Sequence, residues 1–196
     1  MQIKQNLCLF IILIVTLSTS AQSYEKQYEI CSQELKTLTT VDSVYFDLVK
    51  KRDSCLIGSS APDFIVSTIE NEVIELSKLK GQVVVLNFWF TRCQPCIMEM
   101  PDLNKLVEFY SGKKVVFISF APEDSNTLKN FFGTHIFKFK TVANSEVIRR
   151  DYFKLFSAWP YNIVINQDSK ISKMVCGSMK EDTIPFYQTL IDELLK

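Results

Sequence analysis

Apolar and polar positions alternate in blocks that predict a mixed chain of strands and helices. The block Val83-Val84-Val85-Leu86-Asn87-Phe88-Trp89-Phe90 reads as a buried strand. The period then lengthens. Leu103, Leu106, Val107 and Tyr110 recur at helical spacing, which predicts a helix over about 96–110 with this inward face and a kink at Pro101. A second short strand is predicted over 114–120, a helix over 124–132 ending near Gly133, and a strand over 137–142. Ser145 is the expected cap of a helix reaching about 155. Residues 161–166 and 170–176 alternate like a hairpin turning at Gln167-Asp168-Ser169. The closing helix, about 180–195, carries a Phe186, Leu190, Leu194 stripe expected to face the sheet.

Upstream, Gly58-Ser59-Ser60-Ala61-Pro62 marks a boundary. Short strands are predicted over 63–67 and 72–76, then a turn over 78–80 capped by Ser77 and stopped at Gly81. Before the boundary, Tyr28, Cys31, Leu35, Leu38, Val41, Tyr45 and Leu48 recur every three or four residues. Residues 24–52 are therefore expected to be mainly helical, with a weak spot at Thr39-Thr40-Val41, where β-branched residues lower helix propensity. Strands separated by helices, then a hairpin and a last helix, predict an α/β layer sandwich with a mixed sheet. The expected division is 1–21, 22–57 as a helical extension, and 58–196 as the main domain.

The first 21 residues stand apart. Lys4 precedes an apolar run from Leu7 to Leu17, and Ser18-Thr19-Ser20-Ala21 offers small residues to a signal peptidase. This pattern predicts a secretory signal cleaved after Ala21. An uncleaved membrane anchor is the alternative, although the run is short for a span. Cys8 opens the run rather than closing it, which argues against a lipoprotein cysteine. Composition adds two exclusions. Lys+Arg and Asp+Glu number 22 each, so no basic excess points to nucleic acid. The chain is 47% hydrophobic with 15 Phe, which favours a packed core over disorder.

Cys93-Gln94-Pro95-Cys96 carries the candidate chemistry. The pair falls where the strand ends and the helix begins. A sulfur there faces unpaired backbone N–H groups and the positive end of the helix dipole, both of which stabilise a thiolate. Three residues is about one turn, so Cys96 is able to close a disulfide with Cys93. Cys93 is the expected nucleophile and Cys96 the resolving thiol. Arg92 adds a neighbouring cation, and Gln94 and Pro95 tune the pair. Glu99 lies one turn past Cys96, where a carboxylate would accept or donate the proton that exchange must move; a solvated helix carboxylate is the bland reading. A static disulfide or half of a zinc site are the alternatives for the pair itself. Zinc needs four ligands, the only histidine is His135, and no second such pair of cysteines exists, so no metal or other cofactor is expected. His135 reads as a loop or surface residue and Cys176 as an inert buried thiol. On one straight helix Cys31 and Cys55 would be about 36 Å apart, so a bridge between them requires a break, most plausibly near Thr39-Thr40.

Several stretches together resemble one family. Ala61-Pro62-Asp63-Phe64, Leu76-Ser77-Lys78-Leu79-Lys80-Gly81, the run Val83 to Trp89, and Cys93-x-Pro95-Cys96-x-x-Glu99-x-Pro101 are similar to the thioredoxin-like TlpA/ResA group. The resemblance covers about 58–196. It implies a thioredoxin fold and a redox-active dithiol in exported bacterial thiol–disulfide oxidoreductases. It also implies a functional acid at Glu99 and a cis-proline at Pro160 facing the dithiol. The backbone of Trp159 would then pair with an extended substrate segment. Implied partners are disulfide-bearing protein substrates, apocytochrome c among them, and a membrane thiol reductase as electron donor, in the bacterial periplasm. The absence of His between the cysteines leans toward reduction or isomerisation. Two positions depart from the group. Arg92 stands where Trp is usual, and Phe90 where a small residue is common, which leaves substrate identity open. A peroxiredoxin-like peroxidase would want Pro-x-x-x-Thr-x-x-Cys, whereas Thr91 is two residues before Cys93. A copper(I) chaperone of related fold would space its cysteines one residue wider and add a late His. A partner-binding role for 24–52 is a further alternative.

Overall fold

The computed structural model describes residues 23–37, 43–179 and 182–196. The expected signal segment, the weak spot at Thr39-Thr40-Val41, and Lys180 lie outside the described residues. Among the described residues five α-helices and seven strands follow in order. They are α1 Tyr24–Cys31, α2 Ser43–Leu56, β1 Ile65–Ser67, β2 Val73–Glu75, β3 Val83–Phe88, α3 Gln94–Phe109, β4 Val115–Phe120, α4 Ser125–Phe132, β5 Lys140–Val142, β6 Tyr161–Ile165, β7 Ile171–Cys176 and α5 Thr183–Leu194. β1 and β2 form a small antiparallel pair, and the main sheet runs β5-β4-β3-β6-β7. β3, β4 and β5 are parallel, while β6 pairs antiparallel with β3 and β7 antiparallel with β6. The mixed sheet expected from the pattern is what forms, flanked by helices.

β3 sits at the centre with all six residues buried. Because successive side chains point to opposite faces, it feeds two cores. Val84, Leu86 and Phe88 join Ile118, Phe120, Ile163 and the helical extension through Tyr24 and Leu56. Val83 and Val85 join Leu103, Leu106 and Tyr110 of α3 with Tyr187 and Ile191 of α5. Near the end of β3 that second face turns polar. Asn162, Asn87, Ser119 and Thr141 stand in register, one on each of four neighbouring strands, and all are buried.

The extension is not one helix. α1 ends at Cys31, a short 3-10 turn covers Leu35–Thr37, and α2 runs on to Leu56. The separation of α1 from α2 brings Cys31 and Cys55 into a disulfide with Cα atoms 5.7 Å apart. A buried polar knot ties α2 to the sheet. Arg52 Nε donates to Asp53 Oδ1 at 2.9 Å, Arg52 Nη2 donates to the Tyr161 hydroxyl at 2.9 Å, and that hydroxyl donates to Asp53 Oδ2. Burial pushes the Asp53 carboxyl up, partly offset by Arg52 and Tyr161.

Other expectations shift for identifiable reasons. Ser77 is not a cap: the 3-10 turn starts at Leu76, and the Ser77 amide donates to Asp63 Oδ1 at 2.9 Å. Ser145 does not cap a long helix. Its hydroxyl donates to the Ala121 carbonyl at 2.8 Å, and the chain winds only into a π-helical turn, Ile148–Tyr152. β5 starts at Lys140 rather than at 137. Asn104 occupies the preceding backbone, accepting from the Lys138 amide and donating to the Ile136 carbonyl, both at 2.8 Å. The deepest row of α5 is Thr183, Tyr187 and Ile191; Phe186, Leu190 and Leu194 flank it half-buried.

Candidate redox site

β3 delivers the chain to the N-terminus of α3. The Trp89 amide still pairs with the Phe120 carbonyl at 3.1 Å, and the Cys93 amide donates to the Phe90 carbonyl at 3.0 Å, closing a turn. Cys93 is the N-cap of α3, with Pro95 in the first turn, where a missing N–H costs nothing. The Cys93 carbonyl accepts the first helical bond from Ile97 at 3.0 Å. Its Sγ accepts from the Cys96 amide at 3.3 Å. The expectation of a sulfur at a helix start is met in the form of a side-chain cap. Cys93 and Cys96 are joined, with Cα atoms 5.2 Å apart. Cys93 is 4% exposed and Cys96 1%, so Cys93 is the more accessible of the two. Arg92, Gln94 and Pro95 are exposed around it.

The turn before the cysteines is held by a residue the sequence reading missed. Glu123 Oε1 accepts from both the amide and the hydroxyl of Thr91, each at 2.7 Å. On the other side, the Trp159–Pro160 peptide is cis, as the resemblance implied. The Trp159 ring packs edge-on against Phe90 at 5.4 Å and lies 5.0 Å from the Arg149 guanidinium. Arg149 in turn donates to the Leu155 and Phe156 carbonyls at 3.0 and 2.8 Å, fixing the approach to the cis bond. Phe90 and Trp159 therefore lean over the cluster that contains both cysteines.

One turn past Cys96 on the same helix lies Glu99, 4% exposed and not solvated. Asn87 Nδ2 donates to its Oε1 at 3.0 Å, and Asn162 Nδ2 at 3.4 Å. Burial pushes the carboxyl up to about 7, against the lowering effect of the Asn162 and Asn87 donors. A carboxyl that titrates near neutrality is fit to take and return protons at working pH. Asn87 and Asn162 were not singled out from the sequence, although a polar residue inside an otherwise apolar strand is a legible signal.

Residues expected to stand apart from the site do so. His135 is half-buried in the loop after α4, stacked on Phe131 at 4.0 Å. Cys176 is a free thiol on β7 that is half-buried rather than buried as expected, because it ends the strand, and burial pushes its pKa up. Among the described residues no group of three or more His, Cys, Asp or Glu is placed to hold a metal. Among them too, no helix is long and apolar enough to cross a membrane.

Residues 57–174 match the model of the AhpC/TSA family. The thiol–disulfide oxidoreductase ResA of Bacillus subtilis (strain 168) is 33% identical over 151 residues, covering 76% of this chain and 83% of the relative. The chain belongs to the AhpC/TSA family, with the ResA oxidoreductases among its relatives. The thioredoxin-like protein YneN of the same organism is 31% identical over 140 residues, covering 70% of this chain and 81% of YneN. Among solved structures, a thiol:disulfide interchange protein of the thioredoxin family from Chlorobium tepidum TLS superposes with a TM-score of 0.60. It has 20% identity and covers 70% of this chain and 96% of its own. This AhpC/TSA family member has a thioredoxin-like fold, and its chemistry is thiol–disulfide exchange.

Proposed function

We propose that Cys93 and Cys96 are the exchanging pair, with Glu99 as proton relay, and that the protein is an exported reductant of protein disulfides. The observation that carries this reading is a sulfur serving as the cap of the same helix that, one turn past Cys96, buries a carboxyl pushed up to about 7. In the reduced protein the Cys93 thiolate attacks one sulfur of a substrate disulfide. A mixed disulfide forms and the other substrate sulfur leaves as a thiolate. Cys96 then gives its proton to Glu99 and attacks Cys93 Sγ. The second substrate thiolate leaves, the Cys93–Cys96 bond forms, and two electrons have passed to the substrate. Pro160 keeps N–H groups away from the sulfurs, and the backbone of Trp159 offers an edge to an extended substrate segment. Arg92, Gln94 and Pro95 form the exposed rim that the substrate meets.

Export rests on the 1–21 pattern, with 22–57 as a helical extension and 58–196 as the thioredoxin-like domain. A membrane thiol reductase would restore the dithiol in the periplasm, and apocytochrome c is one candidate substrate. The test is a trap. Cys96→Ser should accumulate mixed disulfides through Cys93, identifiable by mass spectrometry, and Cys93→Ser should accumulate none. A reduction potential near −270 mV supports a reductant, and one near −120 mV overturns that direction.

A further inference from the structure

Asn87 and Asn162 form a closed triangle with Glu99. Asn87 Nδ2 donates one proton to Glu99 Oε1 at 3.0 Å and the other to Asn162 Oδ1 at 2.8 Å. Asn162 Nδ2 donates to the same Glu99 oxygen at 3.4 Å. The two amides are 1% exposed and stand directly opposite each other on β3 and β6. A primary amide has two N–H donors and one oxygen. Here Asn87 has both its donors committed, and Asn162 uses its oxygen to fix the Asn87 amide plane. Both amides turn an N–H toward Glu99, so Oε1 receives hydrogen bonds whether the carboxyl is ionised or neutral.

We propose that Asn87 and Asn162 are positioning residues for the exchange reaction: together they hold Glu99 Oε1 as a permanent acceptor, and the proton that Glu99 exchanges rides on Oε2. The proposal rests on the relay role given to Glu99 above. The surroundings make the two amides the main counterweight to burial. On α3 the neighbour one turn back is Cys96, which does not titrate while its disulfide is closed. On α5 it is Tyr187, whose buried phenol feels the carboxylate and is pushed well above 10, so it stays neutral. The carboxyl is raised by burial and lowered by the two amides, with no cation among the causes.

The sign follows directly. Amide donors favour the carboxylate, so removing them should move the Glu99 midpoint further up. A hydrogen bond to a charged group is worth roughly 1.5–3 kcal/mol. For the long Asn162 contact the lower end applies, which is about one pH unit. The experiment is a ¹³C NMR titration of the Glu99 side-chain carboxyl in the full-length, disulfide-bonded protein. Wild type should titrate near 7, Asn162→Leu about one unit higher, and Asn162→Thr, which keeps an oxygen for Asn87, between the two. If Asn162→Leu fails to fold, Asn162→Thr and Asn87→Ser carry the test. An unmoved midpoint in the folded variants overturns the proposal. In parallel, the pH profile of disulfide exchange is recorded for Asn162→Leu, for Glu99→Gln, and for the double variant. The profile should move with the NMR midpoint in Asn162→Leu and lose that limb in both Glu99→Gln backgrounds. If Glu99→Gln alone leaves the profile as in wild type, the relay reading fails, while the NMR shift still decides the positioning.

Discussion

Replacing Glu99 with Gln should make the oxidised protein more stable, and increasingly so as pH rises. The wild-type carboxyl moves from 4.5 in the unfolded chain to about 7 when folded, chiefly through burial. A raised acid pKa means that the folded state binds the proton more tightly. Stability is therefore full below pH 4.5, falls as pH climbs through the window from 4.5 to 7, and is flat above it. At 1.36 kcal/mol per unit, the whole loss is about 3 kcal/mol. About 2.5 kcal/mol of it falls between pH 5 and pH 8.5. Gln presents a carbonyl oxygen to Asn87 and Asn162 in place of Oε1, carries an amide where Oε2 stood, and never ionises. Urea unfolding of both proteins at pH 5 and pH 8.5, without reductant so that Cys93–Cys96 stays closed, measures the difference. Other titrating groups cancel between the two. The gap should widen by about 2.5 kcal/mol at the higher pH, which is roughly a 1 M shift in urea midpoint for a typical m-value. A gap that is independent of pH, or a variant that loses stability at pH 8.5, would falsify the argument.

Two further expectations concern the helical extension. The Cys31–Cys55 bridge closes a loop with a sequence separation of 24. The chain-entropy relation then gives about 3.5 kcal/mol of stabilisation, so Cys31→Ala/Cys55→Ala should lower stability by about that much in urea melts while retaining Cys93-dependent disulfide exchange. Arg52→Met should be worse than Arg52→Met/Asp53→Leu. The single change strands a buried carboxylate and is expected to cost about 3–5 kcal/mol, whereas removing both charges recovers much of it. Equal losses in the two variants would mean that the Arg52–Asp53 pairing is not what holds α2 against β6.

The site was legible where its parts are close in sequence. Cys93 and Cys96 sit one turn apart on a helix whose start follows from the end of an apolar strand, and Glu99 is one turn further on. Pro160 came from the resemblance rather than from the pattern, because nothing local distinguishes a cis proline from a trans one. What stayed hidden depends on strand order. Asn87 and Asn162 are 75 residues apart and meet only because β3 and β6 pair. Glu123 reaches Thr91 across 32 residues for the same kind of reason. Arg52 and Asp53 look like solvated helix charges. Their burial arises from Tyr161, more than 100 residues away. On α5, Phe186, Leu190 and Leu194 do pack against the sheet-side core, but the deepest row is the neighbouring Thr183, Tyr187 and Ile191, which repeats at the same spacing and which hydrophobicity alone did not pick out.

The line of amides and hydroxyls across β6, β3, β4 and β5 has an evolutionary consequence. In a laboratory lineage grown for heat resistance alone, valine and isoleucine should invade Asn162, Asn87, Ser119 and Thr141, since aliphatic packing there asks for no polar partner. Survivors would be sturdier molecules with a slower turnover. The persistence of Asn87 and Asn162 in a working lineage would then be a record of selection for proton handling, readable from descendants without any enzyme assay.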